Sequence, residues 1–123
     1  MSDGTPEAFF QGTELGLRAY RRVLDLAERA GPVDVAVTRS KVALRRGGRG
    51  FAYLWRPGQY LKEPGAEVVL SIGLPREIES PRWKQVAHPS PRVWMHHLEI
   101  HAIAELDDEV AAWLEEAATA RRR

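Results

Sequence analysis

Residues 41–55 read KVALRRGGRGFAYLW, and this stretch decides the fold. Gly47 and Gly48 supply the two φ > 0 positions of a type I′ turn, so the segment folds back on itself as a hairpin. Pairing outward from that turn sets Leu44 opposite Phe51 and Val42 opposite Tyr53, which gathers apolar side chains on one face. Trp55 continues that face. The other face carries Lys41, Ala43 and Arg45 beside Ala52 and Leu54, and is partly polar. Upstream, Val33, Val35 and Val37 alternate with Asp34, Ala36 and Thr38, the pattern of a half-buried strand. Downstream, Pro57-Gly58 suits the centre of a type II turn and Pro64-Gly65 makes a further break. The apolar run at residues 67–72 (EVVLSI) predicts a strand, and residues 83–88 a short one between Pro81 and Pro89. Residues 93–103 fit either period; their Val, Trp and Ile content, just after Pro89 and Pro91, favours a strand.

Helices flank this β-rich middle. Thr5-Pro6-Glu7 has a capping hydroxyl, a proline preset for the first turn and an acid at the positive dipole end. It predicts a short helical turn within residues 1–12, anchored by Phe9 and Phe10 and ended by Gly12. Thr13 caps a longer helix whose apolar stripe is Leu17, Tyr20, Val23, Leu24 and Ala27, stopped by Gly31-Pro32. Asp107 caps a last helix with the stripe Leu106, Val110, Trp113, Leu114 and Ala117; residues 119–123, ending in three arginines, read as a frayed basic tail. The expected architecture is α+β: an antiparallel sheet of about five to six strands, with N-terminal and C-terminal helices packed on one face. At 123 residues and 13.9 kDa, the whole span 1–123 is one domain.

Composition removes whole classes of function. There is no cysteine, which excludes disulfides, thiolate nucleophiles and Cys-ligated metal clusters. No apolar run approaches the roughly 20 residues of a membrane span, and residues 1–12 lack a signal-peptide core. The expected location is the bacterial cytoplasm, away from membranes. Eighteen Lys and Arg against seventeen Asp and Glu leave a formal charge of +1, unlike a dedicated nucleic-acid binder. The distribution is uneven. No acid lies between Asp34 and Glu63, an interval carrying Arg39, Lys41, Arg45, Arg46, Arg49, Arg56 and Lys62. The acids concentrate near the C-terminus, at Glu105, Asp107, Asp108, Glu109, Glu115 and Glu116. Attraction between the two regions, within the fold or across a homodimer, is an expectation.

Several ordered segments carry a family resemblance. They are Thr38-Arg39-Ser40-Lys41, Gly50-Phe51-Ala52-Tyr53-Leu54-Trp55-Arg56-Pro57, Ser80-Pro81-Arg82-Trp83-Lys84, Trp94-Met95-His96-His97, and Leu106-Asp107-Asp108-Glu109-Val110 followed by Trp113-Leu114. Together they resemble the small bacterial proteins designated domain of unknown function 5655, in an actinobacterial form, from about residue 8 to residue 118. The resemblance implies a stand-alone α+β domain and an actinobacterial source. It carries over no mechanism and no catalytic residue.

The candidate site residues come from the polar positions of those segments: Ser40, Lys41, Arg56, Arg82, Lys84, His96 and His97. Brought together, the cations would attract phosphate, carboxylate or an acidic protein surface. On a strand, His96 shares a side with Trp94, Leu98 and Ile100, which predicts a buried structural ring, while His97 lies beside Glu99, which favours its charged form. His97 and His101 stand too far apart along a strand to chelate one metal, and His-Leu-Glu-Ile-His is not the zinc-helix order. No metal or cofactor is called for. Ser40, Ser71, Ser80 and Ser90 lie outside any nucleophile elbow. Arg45, Arg46 and Arg49 surround the hairpin tip with forked phosphate donors, and Tyr53, Trp55 and Tyr60 offer base-stacking surfaces. The hairpin pairing, however, turns Tyr53 and Trp55 toward the core. The expected function is a non-catalytic binding or interaction module with a basic surface. A small enzyme using His96 or His97 in acid–base chemistry is the alternative, and a nucleic-acid module ranks below it.

Overall fold

A computed structural model describes residues 4–120. The three terminal arginines of the expected basic tail and the first three residues of the N-terminal segment lie outside the described residues. The chain runs α1 (Pro6–Phe9), α2 (Glu14–Glu28), β1 (Asp34–Val37), β2 (Val42–Arg46), β3 (Arg49–Trp55), β4 (Val68–Leu74), β5 (Gln85–Ser90), β6 (Val93–Ile100) and α3 (Asp108–Ala120). The strands form one six-stranded sheet in the order β1-β2-β3-β4-β6-β5, with every neighbouring pair antiparallel. The α+β architecture read from the sequence is the one observed. Strand boundaries differ by a few residues: β6 stops at Ile100, and residues 101–106 leave the sheet through the short 3₁₀ segment Ile103–Glu105.

The caps act as their chemistry predicts. The Thr5 hydroxyl accepts the Ala8 N–H at 3.1 Å, and the Thr13 hydroxyl accepts that of Gly16 at 3.0 Å. Thr13 also donates to Glu67 at 2.6 Å, tying the start of α2 to the start of β4. Asp107 Oδ1 accepts the Val110 N–H at 3.2 Å and caps α3. The buried stripe of α2 is rotated from the expected one: Ala19, Tyr20, Val23, Leu26 and Ala27 are buried, while Leu17 and Leu24 are only half-buried. Helices α2 and α3 both pack on the sheet face formed by Val42, Leu44, Leu54, Leu70, Ile72, Leu98 and Ile100.

The hairpin turns where expected, but its register does not run as expected. Gly47 and Gly48 have φ of 58° and 79°, and Arg46 faces Arg49 across them. The pairing then slips between Arg45 and Leu44: Arg45 faces Gly50, Leu44 faces Ala52 and Val42 faces Leu54. Phe51 is the extra residue of a β-bulge. One added residue inverts everything beyond it on the strand. Phe51, Ala52 and Leu54 all enter the core, and Tyr53 and Trp55 turn to the opposite face. The physical reason lies in competing hydrophobic sets. Strand β3 is apolar in both phases, and the bulge buries the purely apolar members while leaving outside the two aromatics that carry polar atoms. Gly50 permits this, because a Cβ there would collide with the hydroxyl and ring of Tyr53.

Two further expectations are corrected. Pro57-Gly58 forms the 3₁₀ turn Pro57–Gln59, with no positive φ at Gly58. Arg46 does not project from the hairpin tip toward phosphates. It is 9% exposed and donates to the Pro32 and Ala30 carbonyls at 3.1 and 3.3 Å, stapling the α2–β1 turn to the sheet.

Candidate functional site

The face of the sheet opposite the helices is where chemistry-bearing side chains converge. Tyr53 on β3, Ser71 on β4 and His97 on β6 are paired neighbours in one row across the sheet. Trp55 Nε1 donates to Ser71 Oγ at 2.8 Å, and Ser71 Oγ lies 2.6 Å from His97 Nδ1. An indole N–H can only donate, so the serine oxygen accepts there, and the same hydroxyl shares a second hydrogen bond with Nδ1. Burial lowers the His97 pKa below the ordinary imidazole value, and a charge on His96 would act in the same direction. Both effects favour the neutral ring, with Nδ1 bonded to Ser71.

Around this buried floor stand aromatic walls. The Trp55 ring centroid lies 6.2 Å from that of His97 at 87°, and 6.2 Å from that of the exposed Tyr60 at 59°. Lys41 Nζ sits 5.0 Å above the Tyr53 ring, a cation–π contact at the rim. With Ser40 and Met95 these residues line an open, shallow bowl of about 360 Å³. Its far wall and rim come from two neighbouring loops, which Gln59 links by donating to the Arg39 carbonyl at 3.5 Å.

Of the residues singled out in the sequence, Ser40, Lys41 and His97 meet in this bowl, and the others are dispersed. Arg56 is spent on structure: its Nη1 donates to the Phe9 and Gln11 carbonyls at 3.2 and 3.0 Å, tying α1 to the end of β3. Arg82 is enclosed by acids. Its Nη1 lies 3.1 Å from Asp107 and 2.8 Å from Glu109, its Nη2 bonds the Glu105 carbonyl, and its guanidinium lies over Trp113. Such a neutralised cation draws no external anion. Lys84 is exposed beside Arg82, in a separate depression shared with Glu99 and Glu105. The C-terminal acids meet Arg29, Arg76 and Arg82, all from outside the acid-free interval.

His96 is a core residue. It is fully buried, its Nδ1 donates to the Trp94 carbonyl at 2.9 Å, and its Nε2 accepts the Ile78 N–H at 3.0 Å. The expected partnership of His97 with Glu99 is absent; Glu99 lies 3.5 Å from His101 instead, and His97 bonds Ser71. Among the described residues no group of three His, Asp or Glu side chains is placed to hold a metal ion. A larger depression of about 810 Å³ lies between α3 and the β3 and β4 ends, but there Glu115 and Glu116 balance Arg49 and Arg92. It lacks aromatic walls.

Sequence reasoning missed Ser71 and Met95 and placed Tyr53 and Trp55 on the wrong face. Ser71 did carry a signal, as the one hydroxyl inside the dense apolar run 67–72. A polar residue buried mid-strand needs a partner, and here it has two.

No curated protein and no solved structure matches the chain. Residues 7–118 match the family described as a domain of unknown function (DUF5655), and with nearly its whole length covered the chain belongs to that family.

Proposed function

We propose that the protein is a non-catalytic binding module whose ligand is a small anion with a flat aromatic part, held in the bowl on the helix-free face of the sheet. The observation that carries this reading is the Trp55–Ser71–His97 hydrogen-bond chain, which orients the half-buried His97 ring amid aromatic side chains and leaves its Nε2 without a protein partner, with Lys41 at the rim. A ring nitrogen held in place and left open in this way suits a site completed by something else. The rim residues Ser40, Lys41 and Tyr60 belong to the acid-free interval, and Lys41 is the cation that lines the bowl. Location in the bacterial cytoplasm is part of the same reading.

A second reading, acid–base chemistry, is favoured by the 2.6 Å contact at His97. In it, His97 Nε2 exchanges a proton with the substrate, while Ser71 positions the ring. Ser71 is not a nucleophile in this reading: it is 3% exposed and its oxygen already accepts from Trp55. Two-dimensional NMR of the labelled chain, titrated with aromatic phosphates and carboxylates, tests the module. Shifts concentrated at Tyr53, Trp55, Ser71 and His97, reduced by Lys41→Gln, are the expected result. Shifts confined to Arg82, Lys84 and α3 would overturn it. Turnover of a bound compound that His97→Gln abolishes, with binding retained, would establish the second reading in its place.

A further inference from the structure

We infer that the ligand of the bowl is a single nucleotide, a conclusion that rests on the bowl being the binding site. Three features of the bowl each constrain the ligand. The first is the floor. His97 Nε2 has no protein partner among the described residues, since Ser71 takes Nδ1. The ligand therefore brings an in-plane polar edge, and nucleobases carry both donors and acceptors on such edges.

The second is the wall. Trp55 and the exposed Tyr60 stand 6.2 Å apart at 59°, a V that offers two ring faces to a flat heterocycle. The third is the rim. Lys41 extends over Tyr53, two strands away from His97 in the sheet order β3-β4-β6. Two strand spacings amount to about 10 Å, so the anionic group sits well beyond the ring that meets His97. An aromatic carboxylate is too short to meet both ends. A base carrying its phosphate on a sugar reaches both, with Ser40 beside Lys41 as a further donor. The volume of about 360 Å³ accommodates one such unit.

The test is an NMR and tryptophan-fluorescence titration of the full chain with the four common nucleoside monophosphates, their nucleosides, naphthyl phosphate and a short single-stranded oligonucleotide. At least one monophosphate is expected to bind about tenfold more tightly than its nucleoside. Lys41→Gln should bring the monophosphate down to the nucleoside's affinity and leave the nucleoside unchanged, since Lys41 meets only the phosphate. Trp55→Ala should weaken both by about tenfold or more through lost stacking, and Trp55→Phe should restore most of that loss. Monophosphates that bind no better than nucleosides would overturn the inference, as would binding by the oligonucleotide alone. Naphthyl phosphate shifting the bowl resonances while no nucleotide does would remove the nucleotide and leave the bowl as a binding site. Silence from every compound would remove both.

Discussion

Acidifying the protein through the range where histidine titrates should weaken the fold, and His96 is the residue to watch. In an unfolded chain an imidazole takes up a proton near pH 6.5. In the fold, His96 is fully buried, its Nδ1–H satisfied by the Trp94 carbonyl and its Nε2 lone pair by the Ile78 N–H. A proton on Nε2 would set donor against donor at the Ile78 N–H. Burial lowers the His96 pKa; the Trp94 and Ile72 carbonyls and the charges of Glu77 and Glu116 oppose it without reversing it. The folded value thus lies below the unfolded one. Above about pH 6.5 both states are neutral and the ring contributes no pH dependence. Below it the unfolded chain gains a proton that the fold refuses, so stability falls until the folded pKa is reached and is level beyond it. The slope in that window is at most about 1.4 kcal/mol per pH unit for one ring. His97, whose pKa burial also lowers, acts with the same sign. Against a domain stability of about 5–15 kcal/mol this is a measurable share. Urea unfolding at closely spaced values between about pH 7.5 and 5 gives the slope, and His96→Gln, which keeps a donor and an acceptor without a titrating proton, should flatten it. An identical slope in wild type and His96→Gln would refute the reasoning, as would an NMR titration placing the His96 ring at or above the ordinary value.

The bulged register predicts that Leu54→Ala, wholly buried, costs about 2–5 kcal/mol in urea unfolding, whereas Tyr53→Ala costs clearly less; the reverse order would restore the unbulged pairing. Phe51→Ala should cost about 3–5 kcal/mol, and a loss below about 1 kcal/mol would place Phe51 outside the core. His97→Ala should cost about 1 kcal/mol by leaving the buried Ser71 hydroxyl without one of its two partners, a smaller loss than His96→Ala in the same melts. Arg82→Met should cost about 1–2 kcal/mol and make the melting temperature less sensitive to salt, because it removes the clamp from residues 80–83 to the start of α3. Burial pushes the Asp107 carboxyl up, but the hydrogen bonds from Arg82 and the Val110 N–H outweigh it and hold the pKa below the usual carboxylate value. The contribution of Asp107 is therefore present above about pH 4 and lost as the pH falls further, a window that Arg82→Met should narrow in acid unfolding curves.

Local signals in the chain were legible wherever the physics was local. Gly47-Gly48, the Thr13 and Asp107 caps and the alternation that buries His96 beside Leu98 and Ile100 each depend on a few adjacent residues. The β3 register does not. Phe51, Tyr53 and Trp55 outweigh Ala52 and Leu54 in any alternation count, so the bulkier set claims the core on paper. What reverses the assignment lies on the far face of the sheet: Trp55 gains a partner in Ser71, from a strand the hairpin does not contain, and Tyr53 gains one in Lys41. The site was half legible for the same reason. Ser40, Lys41 and His97 could be named individually, but their meeting place depended on the face that the bulge exposed. Arg56 and Arg82 read as available cations because carbonyls and acids distant in sequence, which satisfy them, leave no mark beside them.

The sheet order β4-β6-β5 has a consequence for when the bowl exists at all. Ser71 and His97 are 26 residues apart and become neighbours only when β6 slots between β4 and the edge strand β5. A nascent chain that has emerged only as far as β5 has Trp55 and Ser71 but no imidazole above them. Occupancy of the bowl is then restricted to the finished fold, and partial chains sequester no ligand during synthesis. Any compound that fits stabilises the completed domain alone, by about 2.7 kcal/mol at a hundredfold excess over its Kd. On the proposed binding role, ligand supply would set how long a finished copy of the protein survives proteolysis, quite apart from any signal that binding conveys.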